Sequence, residues 1–261
     1  MNLQLQGKRA LVTGSTAGIG FAIAAALLAE GASVIVNGRT EAGVQKALRR
    51  LEGDGKVTGI AADVATQEGV DRVVQLLSEV DILVNNMGIF DPKPFEQIPD
   101  ADWFRFFETN VMSGVRLSRA YIGAMKQKNW GRVIFISSES GICPPAEMVH
   151  YGMTKSAQLS VSRGLAETCA GTAVTVNSVL PGPTLTEGAK TFFETLAEQQ
   201  GIGFDEATKK FFAQARPTSL IRRFAKPEEV ASLVTYLCSP LAAATTGAAL
   251  RVDGGVVRSL V

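Results

Sequence analysis

The feature of this sequence that most constrains its fold is a regular alternation of short β-branched runs with longer helical patterns. The runs are rich in Val and Ile, whereas the segments between them are rich in Ala and Leu and span several helical turns. Such alternation is typical of parallel strands joined by crossover helices, because a short turn cannot connect a parallel pair. We therefore predict an α/β chain built on an open parallel sheet.

The elements of this alternation can be placed on the sequence. Strands are predicted at residues 9–13, 33–37, 57–61, 82–85, 132–137, 174–179 and 248–252. Helices are predicted at residues 18–30, 41–52, 67–78, 100–128, 149–170 and 228–237. About seven strands with helices on both faces form a doubly wound sheet of the Rossmann type, whose ligand binds at the carboxyl ends of the strands.

One segment, residues 186–216, departs from the alternation. It has the pattern of amphipathic helix, with its apolar side provided by Phe192, Phe193, Phe204, Phe211 and Phe212. The length of the chain suits one domain. We therefore predict a single domain over residues 1–261, with 186–216 as a helical insertion that lies over the strand ends.

Charge and cysteine content narrow the class of partner and the compartment. The chain has 26 basic and 25 acidic residues, a balance that argues against nucleic acid or an anionic membrane as the main partner. The three cysteines lie far apart and the single histidine has no Cys or His cluster around it, so no disulfide framework and no metal site are predicted. The first residues lack the apolar block of a signal peptide and no apolar stretch is long enough to span a bilayer, which predicts a cytoplasmic protein.

A glycine-rich turn follows the first predicted strand, where residues 13–20 read TGSTAGIG. Glycine allows the backbone to turn sharply and to approach a diphosphate closely. The helix that begins at Gly18 directs its free N–H groups toward negative charge. Many tight turns use glycine for structural reasons alone, but here the strand and the helix that a phosphate site requires both flank the turn. We therefore predict that this turn binds the phosphates of a cofactor.

This turn resembles that of the short-chain dehydrogenase/reductase family, and later motifs keep the family's order along essentially the whole chain. The resemblance implies a nicotinamide dinucleotide as cofactor. The residues of the turn that it implies as cofactor contacts are Gly14, Ser15, Thr16, Gly18, Ile19 and Gly20.

The end of the second predicted strand bears on the choice between NADP and NAD. Gly38 stands where NAD-selecting members of the family have an Asp, and Arg39 follows it. A guanidinium at this place can pair with a 2′-phosphate, although an ordinary solvated Arg would give the same sequence. We predict NADP(H). After the third strand, Asp63 and Val64 resemble the family's adenine contacts, but Asp63 is almost as well explained as a cap of the next turn.

Tyr151 and Lys155 lie four residues apart on a predicted helix and therefore share a face. A free Tyr has a pKa of about 10 and is a slow acid or base near neutrality. A neighbouring ammonium favours the phenolate, so we expect Lys155 to lower the pKa of Tyr151. Exposed pairs of this kind are common on helices, and the pair alone leaves a structural role open.

Two further residues complete a catalytic set by resemblance. Ser138 precedes Tyr151 at the family's spacing, and its hydroxyl can stabilise charge on a substrate oxygen. Asn110 resembles the family's fourth catalytic residue, which supports a proton relay beside Lys155, although a polar residue bonding locally is the alternative. The resemblance makes Tyr151 the general acid in reduction and the base in oxidation.

The same resemblance extends the cofactor site to two further turns. Residues 85–88 read NNMG where the family usually has NNAG, which implies contacts from Asn86 and Gly88 and leaves the packing of Met87 as a departure. The turn after the sixth strand resembles the nicotinamide-binding turn of the family. The implied contacts there are Pro181, Gly182, Thr184 and Thr186, in addition to Tyr151 and Lys155.

The function that these residues imply is an NADP(H)-dependent oxidoreductase that moves a hydride between nicotinamide and a ketone or secondary alcohol. Resemblance to the 3-oxoacyl carrier-protein reductase branch leaves two substrate classes open, a 3-oxoacyl thioester and a small free ketone. The alternative from another class is a catalytically silent NADP-binding regulator, against which the complete catalytic set argues.

The partners and the oligomeric state are predicted mainly from the resemblance and from the position of residues in the chain. The resemblance implies a homotetramer, and the apolar tail 256–261 suits a buried interface. Docking of a carrier protein would need a basic patch. The candidates are Lys209, Lys210, Arg216, Arg222 and Arg223, although an ordinary solvated helical face would give the same residues. By position, 186–216 resembles the mobile substrate lid of the family. His150 is interpreted as a loop or pocket-wall residue and not as a base.

Overall fold

The computed structural model describes residues 1–51 and 56–260, and its central element is a parallel sheet of seven strands. The strands are β1 (Arg9–Val12), β2 (Ser33–Gly38), β3 (Val57–Ala61), β4 (Ile82–Asn85), β5 (Gly131–Ile136), β6 (Val174–Pro181) and β7 (Ala249–Val252). They lie in the order β3-β2-β1-β4-β5-β6-β7, and all neighbours are parallel. The winding reverses between β1 and β4, which places a ligand cleft at the carboxyl ends of these strands.

Helices cover both faces of the sheet, so the predicted doubly wound fold is confirmed. They are α1 (Gly18–Ala29), α2 (Glu41–Leu51), α3 (Gln67–Leu76), α4 (Asp100–Phe107), α5 (Ser113–Gln127), α6 (Val149–Glu167), α7 (Glu187–Gln199), α8 (Phe204–Gln214) and α9 (Pro227–Cys238). None of the helices in the described part of the chain combines the length and the apolar character that crossing a membrane requires.

Each face of the sheet has its own hydrophobic core. On one face Ile23 and Leu27 of α1 pack with Val230 and Val234 of α9, and all four are fully buried. On the other face α3, α5 and α6 cover the sheet, with Leu117 of α5 among the fully buried side chains. Burying one such side chain stabilises the fold by about 1.5–3 kcal/mol, so the two cores hold the sheet rigid beneath the cleft.

Several element boundaries differ from those predicted. β1 ends at Val12, and β6 continues to Pro181 and not only to residue 179. The predicted helix 100–128 is interrupted by a π-helical turn, Glu108–Met112, which separates α4 from α5. Residue 52 of the predicted helix 41–52 and residue 261 of the apolar tail lie outside the described residues.

The insertion 186–216 consists of two helices, α7 and α8. They are separated at Gly201, whose φ of +63° favours glycine, and Gly203 precedes α8. Phenylalanine rings join the two helices to the loop before α9, since Phe193 contacts both Phe211 and Phe224 with ring centroids about 5 Å apart. Aromatic contact thus fixes the insertion over the carboxyl ends of the strands.

Candidate active site

A cavity of about 480 Å³ opens at the carboxyl ends of the central strands, beneath α7 and α8. The predicted site residues that line it are Ile19, Asn86, Gly88, Ser138, Tyr151, Lys155, Pro181, Gly182, Thr184 and Thr186. Its opposite wall is apolar and aromatic, formed by Phe192, Phe193, Leu196, Phe211 and Phe224. Segments distant in sequence therefore meet around one cavity that has a polar and an apolar side.

The glycine-rich turn between β1 and α1 requires glycine at three positions. Gly14 and Gly18 have φ values of +60° and +57°, a region that side chains rarely adopt. A Cβ on Gly20 would lie 2.4 Å from the side-chain nitrogen of Asn86 and 2.5 Å from the carbonyl oxygen of Gly14. The turn can therefore adopt this shape only with the glycines present.

Hydrogen bonds tie this turn to the end of β4. The hydroxyl of Thr13 accepts from the backbone N–H groups of Asn86 at 2.9 Å and Met87 at 3.0 Å. The Asn86 amide donates to the carbonyl oxygens of Thr13 at 2.9 Å and Gly14 at 3.1 Å. Thr13 was not among the predicted site residues, although its hydroxyl, at the end of the first predicted strand, could have identified it as part of the turn. Met87 fits the NNMG turn by packing against the core.

Two side chains of the turn support its shape and do not line the cavity. Ser15 is fully buried, and its hydroxyl donates to the carbonyl oxygen of Val12 at 2.6 Å and accepts from the N–H of Asn37 at 3.0 Å. Thr16 lies against Gly38, where an added Cβ would be 2.5 Å from the Thr16 methyl group. The strand end that bears Gly38 therefore has little room for any side chain.

The N-terminus of α1 is held by a residue from the insertion. The residue that precedes the helix, Ala17, has no side chain that could cap it. Instead the N–H of Gly18 donates to the Glu187 carboxylate at 2.9 Å, and Arg50 lies 3.6 Å from the other carboxylate oxygen. The backbone N–H of Glu187 itself and that of Gly18, with Arg50 nearby, hold the pKa of this carboxyl below its ordinary value. An anion thus already occupies the N–H group that a phosphate would use.

The predicted adenosine-side residues lie at the ends of β2 and β3. Arg39 is exposed directly after β2. Asp63 accepts a hydrogen bond from the N–H of Ala65 at 3.1 Å, and Val64 is buried. Asp63 therefore does cap the local turn, the alternative that the sequence left open.

Tyr151 and Lys155 share one face of α6, as predicted, with the Lys155 nitrogen 5.5 Å from the centre of the Tyr ring. That nitrogen donates to the carbonyl oxygen of Ile136 at 2.9 Å and to Gln158 at 3.2 Å. Burial lowers the pKa of Lys155 to about 7. Gln158 was missed by the sequence reasoning, although it lies one helical turn after Lys155.

The pKa of Tyr151 is raised, opposite in direction to the lowering that was expected from Lys155. Burial first, and then the charge of Glu139, raise the pKa of Tyr151 above its ordinary value. Desolvation disfavours the charged form of both side chains, and an amine with a pKa of about 7 carries only part of its charge at neutrality. Lys155 therefore gives the phenolate little help in this state of the site.

Ser138 follows β5 and lines the cavity together with Tyr151, and its side chain lowers the pKa of the phenol. Its hydroxyl donates to the Glu139 carboxylate and accepts from the N–H of Ser140 at 3.1 Å. The other Glu139 oxygen accepts from Arg216 at 3.2 Å. Neither Glu139 nor Arg216 was among the predicted site residues.

The predicted basic patch is not a free cationic surface. Arg216 is only 9% exposed and also donates to Glu147 at 3.1 Å. Lys210 pairs with Glu206 at 3.2 Å, and Arg223 pairs with Glu229 at 2.8 Å. Three of the five candidate residues for a docking patch are thus paired with carboxylates.

Asn110 lies in the π-helical turn and is fully buried. Its side chain accepts from the N–H of Ile89 at 2.8 Å and donates to the carbonyl oxygen of Ile89 and to Thr154, each at 3.0 Å. Its backbone carbonyl accepts from Gln158 at 2.6 Å. Asn110 thereby joins the loop after β4 to α6 next to Lys155, and π-helical turns often occur at functional sites.

The turn after β6 closes the cavity on the side of the insertion. A Cβ on Gly182 would lie 2.6 Å from the carbonyl oxygen of Asp253, so only glycine fits there. Thr184 donates to the Gly182 carbonyl at 2.9 Å, and the hydroxyl of Thr186 accepts from the N–H of Ala189 at 3.2 Å. Thr186 therefore caps α7 at the cavity wall.

The interpretation of His150 as a loop or pocket-wall residue was wrong. His150 lies in α6, is fully buried, and contacts Phe106 and Trp103 with ring centroids 4.1 and 6.0 Å away. Burial lowers its pKa. Within residues 1–51 and 56–260, no group of three or more Cys, His, Asp or Glu side chains has a geometry that could hold a metal ion.

The doubly wound fold, the glycine-rich turn and the Ser-Tyr-Lys cluster are together typical of α/β oxidoreductases. The family model for short chain dehydrogenases matches residues 8–197, and the chain belongs to that family. The resemblance seen in the sequence is therefore confirmed.

Two curated relatives and one solved structure illustrate the similarity. An oxidoreductase of Bacillus subtilis, YvaG, is 53% identical over the full length of both chains. The 3-oxoacyl-[acyl-carrier-protein] reductase of Vibrio cholerae is 35% identical and covers 97% of this chain and 99% of its own length. The crystal structure of L-sorbose reductase from Gluconobacter frateurii, in complex with NADPH and L-sorbose, is 32% identical, covers all of both chains, and superimposes with a TM-score of 0.93.

Proposed function

We propose that this protein is an NADP(H)-dependent oxidoreductase that interconverts a ketone and a secondary alcohol. The observation that carries the proposal is the meeting of Ser138, Tyr151 and Lys155 in one cavity beside the glycine-rich turn. A pure NADP-binding regulator would have no use for that acid–base group. A single domain, a homotetramer and a cytoplasmic location remain further predictions from the sequence.

The residues present fit a dinucleotide cofactor. The turn at Gly14 and Gly18 suits a diphosphate, which would take the place of the Glu187 carboxylate at the N-terminus of α1. The nicotinamide end would lie against Pro181, Gly182 and the threonines that follow. Gly38 provides no carboxylate at the place that selects NAD. Arg39 is exposed beside it and would pair with a 2′-phosphate.

The chemistry follows from the proton donors around the cavity. When bound, the nicotinamide gives a hydride to the carbonyl carbon in reduction and takes one back in oxidation. Tyr151 donates its phenolic proton to the carbonyl oxygen, and the Ser138 hydroxyl hydrogen-bonds the same oxygen. Lys155, whose pKa of about 7 is suited to proton exchange at neutral pH, returns a proton toward Tyr151.

The cavity supports a small polar ketone as the substrate class. Its volume of about 480 Å³ lies within the range of pockets for small ligands, and it must also hold the nicotinamide. Its polar side could accept substrate hydroxyls, and L-sorbose reductase is the structural relative that was solved with such a substrate. A 3-oxoacyl thioester is the second candidate, favoured by the aromatic side of the cavity, which would hold an acyl chain.

The test is turnover by the purified protein with NADPH and then NADH, against L-sorbose, smaller ketones and an acetoacetyl thioester. We expect oxidation of NADPH that is lost in Tyr151→Phe, and the same assay with Tyr236→Phe serves as the control for a change at an unrelated tyrosine. NADH as the better donor would refute the cofactor assignment. Undiminished turnover in Tyr151→Phe would refute the assigned acid.

A further inference from the structure

An ion pair lies directly beside the proposed catalytic hydroxyls, and the function proposed above gives it no role. Glu139 follows Ser138 in the chain and is 5% exposed, and Arg216 follows α8 and is 9% exposed. The guanidinium joins two carboxylates, Glu139 at 3.2 Å and Glu147 at 3.1 Å. Burying such charges costs free energy that apolar side chains of the same size would not, so stability alone is a poor reason for the pair.

The two oxygens of Glu139 have different partners. One accepts from Arg216, and the other accepts from the Ser138 hydroxyl. Ser138 and Tyr151 line the same cavity. A chain of polar contacts therefore runs from the insertion to the serine hydroxyl beside the proposed proton donor.

These polar contacts affect Ser138 because Glu139 and the substrate oxygen compete for the proton of its hydroxyl. A serine hydroxyl has a single proton to donate. While Ser138 donates it to Glu139, it cannot donate it to a substrate oxygen. Pairing with Arg216 makes Glu139 a weaker acceptor, because the guanidinium already stabilises the carboxylate charge. The ion pair thus favours transfer of the Ser138 hydrogen bond to the substrate.

The same charges act on Tyr151. Besides burial, the negative charge of Glu139 raises the pKa of the phenol, whereas Arg216 lowers it. Glu139 also raises the pKa of Lys155, against the larger effect of burial. The charged groups around the phenol are thus Glu139, Arg216 and Lys155, with Glu147 behind Arg216. With the pair intact, the charges of Glu139 and Arg216 oppose each other at Tyr151.

We propose that Glu139 and Arg216 are positioning residues: Glu139 orients the Ser138 hydroxyl, and Arg216 neutralises Glu139 so that the proton donor works at neutral pH. Because Arg216 directly follows α8, the insertion supplies a charge to the site as well as an apolar wall. The proposal rests on the proposed function, since it describes how that reaction is tuned.

The test compares the pH dependence of kcat/KM for alcohol oxidation in Glu139→Gln, in Arg216→Met and in the double variant. Removing the negative charge should move the ascending limb about one unit to lower pH, and removing the positive charge about one unit to higher pH. The double variant should lie near the wild-type profile, because both charges are gone. Arg223→Met, which breaks an exposed pair with Glu229, is the matched control and should shift nothing.

A purely structural role for the pair predicts a different pattern, with loss of activity and melting temperature but no displacement of the limb. Arg216→Lys keeps the charge and should restore the wild-type limb even if Arg216→Met is too unstable to assay. The proposal would be overturned if Glu139→Gln and Arg216→Met shifted the ascending limb of the kcat/KM profile in the same direction. It would also be overturned if Glu139→Gln were active with an unshifted limb. Wild-type protein without NADPH turnover would instead refute the proposed function, so the two failures are distinguishable.

Discussion

Glu187→Gln should tighten the binding of NADPH. In the structure the Glu187 carboxylate accepts a hydrogen bond from the N–H of Gly18, at the helix end where we propose that the cofactor diphosphate binds. The diphosphate must displace this carboxylate and is also repelled by its charge. Gln removes the charge while keeping the size and the acceptor oxygen, so the cofactor meets a weaker competitor.

The magnitude follows from the contact. A hydrogen bond to a charged group contributes about 1.5–3 kcal/mol net when it is shielded from water. The Glu187 side chain is 59% exposed and its ion pair with Arg50 spans 3.6 Å, so solvent screening reduces this contribution to about 0.5–1.5 kcal/mol. Because 1.4 kcal/mol corresponds to a factor of ten, the Kd for NADPH should fall about two- to tenfold.

Isothermal titration calorimetry of the protein with NADPH measures this effect directly. Glu194→Gln, on the same helix, is the matched control, since Glu194 is exposed and lies near Lys190. Its Kd should equal that of the wild type, and the gain in Glu187→Gln should shrink at high salt. An unchanged Kd would refute competition at Gly18, and a raised Kd would mean that Glu187 helps to hold the cofactor.

Three further predictions follow from other parts of the structure. Gly20→Ala places a Cβ 2.4 Å from the Asn86 amide, so we expect a stability loss of about 1–3 kcal/mol in urea unfolding and loss of NADPH binding; Gly188→Ala, where nothing lies within 4 Å, is the control. Arg39→Ala should raise the KM for NADPH about tenfold and leave that for NADH unchanged in steady-state assays; equal changes for both cofactors would refute the assignment. His150 has a lowered folded pKa, so the unfolded chain binds more protons and stability should fall as the pH drops below about 6.5. His150→Phe should reduce this loss of stability when urea unfolding at about pH 7.5 is compared with urea unfolding at about pH 5.5. A loss equal to that of the wild type would contradict the role of His150.

Local sequence patterns were sufficient to predict much of the fold. β-branched runs, the glycines around Gly18 and the four-residue spacing of Tyr151 and Lys155 are signals that neighbouring residues create, and they do not depend on distant contacts. The π-helical turn at Asn110 carried no such signal, because its hydrogen bonds go to Ile89 and Thr154, which come from elsewhere in the chain.

The electrostatics of the site could not be predicted for the same reason. Glu139 and Arg216 are 77 positions apart, and Glu187 and Gly18 are 169 apart, so their pairing exists only in the folded chain. The direction of the Tyr151 pKa depends on burial, which the spacing of Tyr and Lys does not reveal. Residue types and periodicity predicted that Ser138, Tyr151 and Lys155 meet, but not which charged side chains surround them.

The low pKa of Lys155 has a consequence for chemical reactivity. An amine with a pKa of about 7 is substantially unprotonated at neutral pH, and the unprotonated amine is the form that attacks electrophiles. A lysine with the ordinary pKa of about 10.4 has less than about 0.1% of its amines in that form. A small aldehyde or activated ester that enters the cavity therefore meets an amine that can react with it, which makes Lys155 an anchoring point for covalent inhibitors.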